Sequence, residues 1–550
     1  MKDRLEKLVH DVVRHLFTVQ VIVDISRPDP QFGDAATNVA MQLARELKKP
    51  PREIAEAIAA EIEKDADIAK VEVAGPGFIN VRFTDVALAR FLYHSELASL
   101  ERAGETVVIE TNNPNPFKDL HIGHAYNCII ADTIANLLEA SGAETHRVSY
   151  HGDVGLHVGR SMWAILKFVD GDAAKLDAIE LKDRAAFMSK MYVEGAKADK
   201  EDEKAHAAIE ALVQQSFQPD DPLFKHVYET CKLWSFNYLD TIIERLGSRL
   251  AEKRYLESEA DTLGVKTVKN NIDDIFTESK GAIIFKGEDY GLHTRVFIAS
   301  RGTGLYEARD LGLMQLKQRD YNPDKSYIIT AEEQKDYFNV VIKAAELAMP
   351  ALKGITENIS TGTVKLSTGK MSSRTGEVLN IEWLFAQLEA AIKARGAEPN
   401  EAIITAALRY AFLKVRIGSD VIFDINESVS VEGNSGPYLQ YAHARACSIL
   451  AKSKKAPKAS GTMQFDNYER ALVLKLQEYR EVTVRAMDEL LPHYICTYLY
   501  ELAQTFNRFY EHSRVIDDPR EQLRLALIAH YAETLRHGLG LLAIPAPEYL

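Results

Sequence analysis

Two imidazoles, an amine and a glycine stand within seven residues of one another in Lys118-Asp119-Leu120-His121-Ile122-Gly123-His124. Imidazole and ammonium groups can donate hydrogen bonds to a triphosphate undergoing attack, and a glycine beside them lets a flat ring approach the backbone closely. Far downstream, Gly369-Lys370-Met371-Ser372-Ser373-Arg374-Thr375-Gly376 is a hydroxyl-rich basic loop. Its lysine can act as a mobile point charge on phosphate oxygens. The chemistry these residue types support is nucleotide binding. Alone, His-Ile-Gly-His reads as one buried and one surface histidine, and Lys-Met-Ser-Ser as an ordinary turn. Together, in this order and separation, they are specific.

Such groups need elements that aim them. The β-branched run Val107-Val108-Ile109 predicts a buried strand. Asn112-Asn113-Pro114-Asn115-Pro116 stops it, because neither proline can donate to a ladder. Ile129, Ile130, Ile134, Leu137 and Leu138 then recur at helical spacing. A strand thus opens into a loop that feeds a helix N-terminus, whose free N–H groups and dipole suit phosphate. A second apolar strand, 145–150, ends in His151-Gly152-Asp153, and a charged helical stretch at about 170–250 reads as an insertion. Short apolar runs at 283–285, 295–298 and 327–329, separated by helices, predict a mostly parallel sheet. Residues 1 to about 85 form a small α/β unit in which Pro50-Pro51 splits a helical pattern. From about 400 the pattern is helical, with long amphipathic segments at 402–413, 438–451, 468–491 and 495–510 and a last helix near Arg520.

A chain of 550 residues holds several cores, and 46% apolar with 27% charged residues is ordinary for a globular protein. Four cysteines without a CxxC pair argue against a disulfide framework or a structural zinc site. No signal-peptide core and no apolar run of bilayer length occur, so a cytoplasmic location and no membrane partner are expected. The net charge of −14 argues mildly against a nucleic-acid partner, but binding depends on local basic surface.

With both motifs in place, the chain resembles the class I aminoacyl-tRNA synthetases, whose Rossmann-like site grips ATP with these two signatures. Ser373 stands where the second lysine of KMSKS would be, and Lys118 occupies the place of a substitute lysine just before the HIGH motif. That substitution is similar to the arginyl-tRNA synthetases. The run Gly433-Asn434-Ser435-Gly436-Pro437-Tyr438-Leu439-Gln440-Tyr441 resembles the start of that family's helical anticodon-binding domain. The resemblance implies an N-terminal tRNA-elbow-binding domain at 1–90, a Rossmann-like catalytic domain at 104–385 and an anticodon-binding domain at 386–550. It further implies ATP with Mg²⁺, L-arginine and tRNA(Arg) as ligands, and a monomer.

A guanidinium is planar, always charged and forked, so an arginine site needs carboxylates. Taken alone, Glu110 and Asp310 read more readily as surface acids. The resemblance puts both on the arginine side chain with Tyr306 packing beside it. It puts Asn113, Asn115 and Gln334 in the same site, with Asn115 and Gln334 on the backbone end. Tyr306 and Asp310, four apart, share a helix face, and following the strand at 295–299 they are expected at the carboxyl edge of the sheet. For ATP it implies His121, Gly123, His124, Lys370, Met371 and Ser372, with Lys118, His121, His124 and Lys370 catalytic. Asn38 and Asn80 are the candidates for the tRNA elbow, and Tyr438, Tyr441 and Tyr549 for the anticodon. A different nucleotidyl transferase of the HIGH type, or a non-catalytic tRNA-binding relative, stays open on the motifs alone.

Overall fold

Val107, Val108 and Ile109 are fully buried in the central strand of a five-stranded parallel sheet. The structure is a computed structural model that describes residues 1–91, 101–367, 380–458 and 464–549. The sheet comprises β1 (Thr106–Glu110), β2 (Glu144–His151), β3 (Lys253–Leu256), β4 (Lys325–Ala331) and β5 (Thr356–Thr361), in the order β5-β4-β1-β2-β3. From β1 the chain builds outward to β2 and β3 on one side and later to β4 and β5 on the other. In such sheets ligands bind outside the carboxyl ends where the order reverses. Here that place lies between β1 and β4.

Four helices frame this crevice: α1 (Ile122–Ala140), α2 (Glu257–Asn270), α3 (Tyr306–Tyr321) and α4 (Lys335–Ala348). Helices α2 and α3 approach until their backbones touch. A Cβ on Gly264 would fall 1.7 Å from the Ala308 carbonyl oxygen, so this packing requires glycine.

Two expectations need correction. The runs at 283–285 and 295–298 do not belong to the parallel sheet. They form strands Ala282–Phe285 and Arg295–Ile298, which with Phe276–Ser279 make a separate antiparallel sheet. Short buried strands look alike in sequence whichever sheet receives them, because the apolar run records burial rather than partner. The 468–491 segment is also two helices, Asn467–Gln477 and Tyr479–Glu489. Conversely β3, Lys-Arg-Tyr-Leu, offers no apolar run, yet its Tyr255 is fully buried.

The insertion consists of helices, chiefly Arg184–Glu201, Glu203–Phe217 and Pro222–Arg245, packed on Leu156–Val169. At the N-terminus, a four-stranded antiparallel sheet carries helices Lys2–Phe17, Val39–Leu47 and Pro51–Ile62. The C-terminal part is a helical bundle ending in Glu521–Leu541. The N-terminal unit rests on that bundle. Arg470 donates to the Phe83 carbonyl at 2.9 Å and pairs with Asp34 and Asp85, while Arg27 reaches Glu481 at 2.8 Å.

Candidate active site

Beyond Glu110 the chain leaves the sheet, and three contacts fix the loop that follows. Asn113 Oδ1 accepts from the Tyr150 N–H and Asn115 Oδ1 from the Gly152 N–H, each at 2.9 Å. His151, buried, donates Nδ1–H to the Pro114 carbonyl at 2.7 Å. Phe117 then takes a left-handed φ of 62°, an outlier for a bulky side chain. It is held there by its surroundings. Its N–H donates to the Ser235 hydroxyl, and its carbonyl accepts from the Ser161 hydroxyl, both at 3.1 Å. Those serines sit on Pro222–Arg245 and Leu156–Val169, so these helices set the direction in which the exposed Lys118 leaves the chain.

His121 is the N-cap of α1, and its Nδ1 accepts from the His124 N–H at 3.4 Å. The two rings stack with centroids 3.6 Å apart. Burial pushes the His121 pKa down to about 4, and the Lys118 charge adds to the effect. Burial, His121 and Lys118 push His124 down to about 3. Both rings are neutral near pH 7, and each then offers one N–H donor. A Cβ on Gly123 would lie 3.1 Å from the His121 ring, so the glycine also makes room for its own neighbour.

Glu110, Asn113, Asn115, Tyr306, Asp310 and Gln334 all line one cavity of about 510 Å³ at the carboxyl ends of β1 and β4, with His124 in its wall. Tyr306 and Asp310 reach it although the strand before them belongs to the antiparallel sheet. Glu110 already has two partners within the protein. Lys317, buried with it, donates to Oε1 at 2.7 Å, and the Asn113 amide donates to Oε2 at 2.6 Å. Asp310 instead accepts from the Tyr337 hydroxyl at 2.5 Å and has no ion-pair partner among the described residues. Enclosed by packing, though it keeps some surface toward the cavity, its carboxyl is pushed up to about 8 by burial, with Glu110 and Glu257 adding repulsion. Arg309 holds Glu257 at 2.9 Å and Asp261 at 3.2 Å, and Arg295 holds Glu307 at 3.3 Å, while Glu333 in the wall has no ion-pair partner among the described residues. Tyr306, 63% exposed, packs its ring on Arg309 and also lines a second cavity of about 600 Å³ with Phe217 and Arg301. The reading of residues missed Lys317, Tyr337 and Tyr150. Lys317 could have been found, since it follows Asp310 by seven positions on the same helix, two turns along one face.

Lys370, Met371 and Ser372 lie outside the described residues. Of the described residues on either side, Ser367 donates to Asp424 at 2.8 Å, and Asn380 forms a bridge with His121. Asn80 is buried in a small cavity of about 200 Å³ with Gln31, Phe32 and Arg82. Asn38 is not in its lining and accepts instead from Gln42 at 2.9 Å. Tyr438 accepts from Asn507 at 2.9 Å and packs edge-on against Tyr500, whereas Tyr441 and Tyr549 are exposed.

A parallel sheet reversing at β1, with a His-Ile-Gly-His helix N-terminus at its carboxyl end, is the architecture of a class I aminoacyl-tRNA synthetase. Family models match residues 1–83 (arginyl tRNA synthetase N terminal domain), 87–425 (tRNA synthetases class I (R), catalytic domain) and 439–550 (DALR anticodon binding domain). The arginine–tRNA ligase of Shewanella woodyi is 29% identical over the whole of both chains. That of Shewanella halifaxensis is 30% identical over 97% of this chain and 95% of its own. The Thermus thermophilus arginyl-tRNA synthetase structure superposes with a TM-score of 0.82 at 25% identity, covering all of both chains. The chain belongs to the arginyl-tRNA synthetase family. It is an arginine–tRNA ligase: it activates L-arginine with ATP and transfers it to the 3′-terminal adenosine of tRNA(Arg), releasing AMP and pyrophosphate.

Proposed function

We propose that the 510 Å³ cavity is the arginine seat and that the start of α1 is the ATP seat. The observation that carries this is the convergence of all six candidates, drawn from β1, its loop, α3 and the turn before α4, on one acid-walled space. Asp310 takes the guanidinium and the Glu110–Lys317 pair flanks it. Tyr306 covers the chain, and Asn115 and Gln334 hold the backbone end, leaving the arginine carboxylate toward His124. In-line attack on the ATP α-phosphate then gives arginyl-adenylate and pyrophosphate without a covalent enzyme intermediate. Positioning and charge stabilisation do the work. The neutral imidazoles of His121 and His124 donate to phosphate oxygens, Lys118 supplies the charge that Ser373 lacks, and Lys370 supplies a second one. Mg²⁺ would arrive on ATP and neutralise its phosphates.

The second cavity, sharing Tyr306, is the approach for the tRNA end. Residues 1–90 take the tRNA elbow, with Asn80 and Phe32 at the small cavity; 104–385 carry catalysis; and 386–550 read the anticodon, with Tyr441 and Tyr549 the accessible candidates. The enzyme works as a cytoplasmic monomer. No described helix is long and apolar enough to cross a membrane. ATP–pyrophosphate exchange with and without tRNA, for arginine and lysine, tests the reading. Exchange should require tRNA and arginine. Exchange with lysine at a comparable rate would contradict the seat.

A further inference from the structure

Tyr150 stands on β2 next to β1, and its ring lines the cavity proposed for arginine. Its backbone is fixed, since its N–H donates to Asn113, whose amide in turn donates to Glu110. Its hydroxyl is buried and has no hydrogen-bond partner among the described residues. Folding tolerates such an orphan at a cost, and each case calls for an explanation. Burial, then the charges of Asp310 and Glu257, and Glu110 after the opposing Arg309, hold the phenol far above its usual pKa. It is a neutral hydroxyl, and its oxygen keeps unused acceptor capacity beside a space walled by carboxylates.

No donor of the described residues reaches the Tyr150 hydroxyl, although Arg295 in the same wall keeps a buried Nε–H without a partner. Lys317 is spent on Glu110, Arg309 on Glu257 and Asp261, and the Tyr337 hydroxyl on Asp310. A ligand in the cavity can bring a donor to it. A guanidinium carries five N–H donors in a flat fork. The oxygens of Asp310 and Glu110 already accept from Tyr337, Lys317 and Asn113, so a further neutral acceptor beside them has a use. We propose that Tyr150 is an arginine-binding residue whose hydroxyl oxygen accepts a hydrogen bond from the substrate guanidinium. This rests on the reading of the cavity as the arginine seat. An ammonium, with three donors on one atom, gains less from an acceptor set beside a planar fork, so the hydroxyl favours arginine over lysine.

Calorimetric titration of the full chain with L-arginine tests this on Tyr150→Phe, with Asp310→Ala in parallel. Tyr150→Phe should weaken arginine binding about tenfold or more, as for a lost hydrogen bond to a charged group. It should leave the KM for ATP within about twofold and lower the preference for arginine over lysine in pyrophosphate exchange. Its Tm without ligand should not fall, because the hydroxyl it removes bonds to nothing in the free protein. Arginine affinity within about twofold of the parent, or an equal loss for ATP, overturns the inference. If Asp310→Ala weakens arginine and Tyr150→Phe does not, this inference alone falls. If Asp310→Ala leaves arginine binding intact, the reading of the cavity fails and the inference goes with it.

Discussion

A guanidinium cannot give up its proton near neutrality, whereas a carboxyl with its pKa near 8 is mostly protonated there. Seating arginine on Asp310 therefore expels a proton, and affinity follows the fraction of Asp310 already ionised. Between pH 6 and 7.5 the Kd for L-arginine should fall about tenfold per unit and level off above about pH 8. ATP binding should show no such trend, and titrations at several pH values would reveal a flat arginine profile if Asp310 does not bear the charge. Spacing puts Tyr306 and Asp310 on one helix face and Glu110 at a strand end, but only the resemblance assigns them to arginine, since the two acids by themselves read as surface charges. The internal partner is not legible in the sequence, because a lysine on a polar helix reads as solvated until the fold shows it 1% exposed. Tyr150 was hidden for the opposite reason, since a tyrosine at a strand end reads as core.

The strand, loop and helix from β1 to α1 are the most legible element, because prolines, β-branched residues and helical periodicity agree there. What the pattern does not reveal is the strain at Phe117 and the serines on two helices that hold it. The helical insertion, which sequence assigns no chemistry, is thereby part of the frame that aims Lys118. The antiparallel strand pairing at 282–298 was equally illegible, since burial alone does not name a partner strand. Lys118 is exposed, yet its charge reaches both imidazoles. Lys118→Ala should lower the rate of tRNA-dependent pyrophosphate exchange about ten- to a hundredfold. The KM for arginine and the urea midpoint should stay as they are. An unchanged rate would remove Lys118 from phosphate stabilisation.

At the scale of the molecule, Arg409 ties the parts together. Fully buried, it donates to Asp132 and Thr133 on α1 at 2.9 Å each, to the Ser248 hydroxyl at 3.0 Å and the Leu246 carbonyl at 3.1 Å at the end of the insertion, and to the Leu542 carbonyl near the C-terminus at 2.7 Å. Arg409→Met leaves Asp132 buried with Arg147 at 3.4 Å and the Arg249 N–H at 3.2 Å as its remaining partners. The cost should be about 3–5 kcal/mol, read as a lower urea midpoint. A loss under about 1 kcal/mol would mean that the hub relaxes around the change. The succession of a small α/β unit, a Rossmann-like core with an insertion and a helical end is readable from pattern. The docking of the first unit on the last is not, because Arg470, Asp34 and Asp85 look like ordinary surface charges until the fold brings them together. The central claim concerns where arginine sits, and tRNA-dependent pyrophosphate exchange by Asp310→Ala tests it most directly. The account predicts a KM for arginine raised at least a hundredfold with the KM for ATP within about threefold. Equal losses for both substrates, or an unchanged arginine requirement, would contradict it.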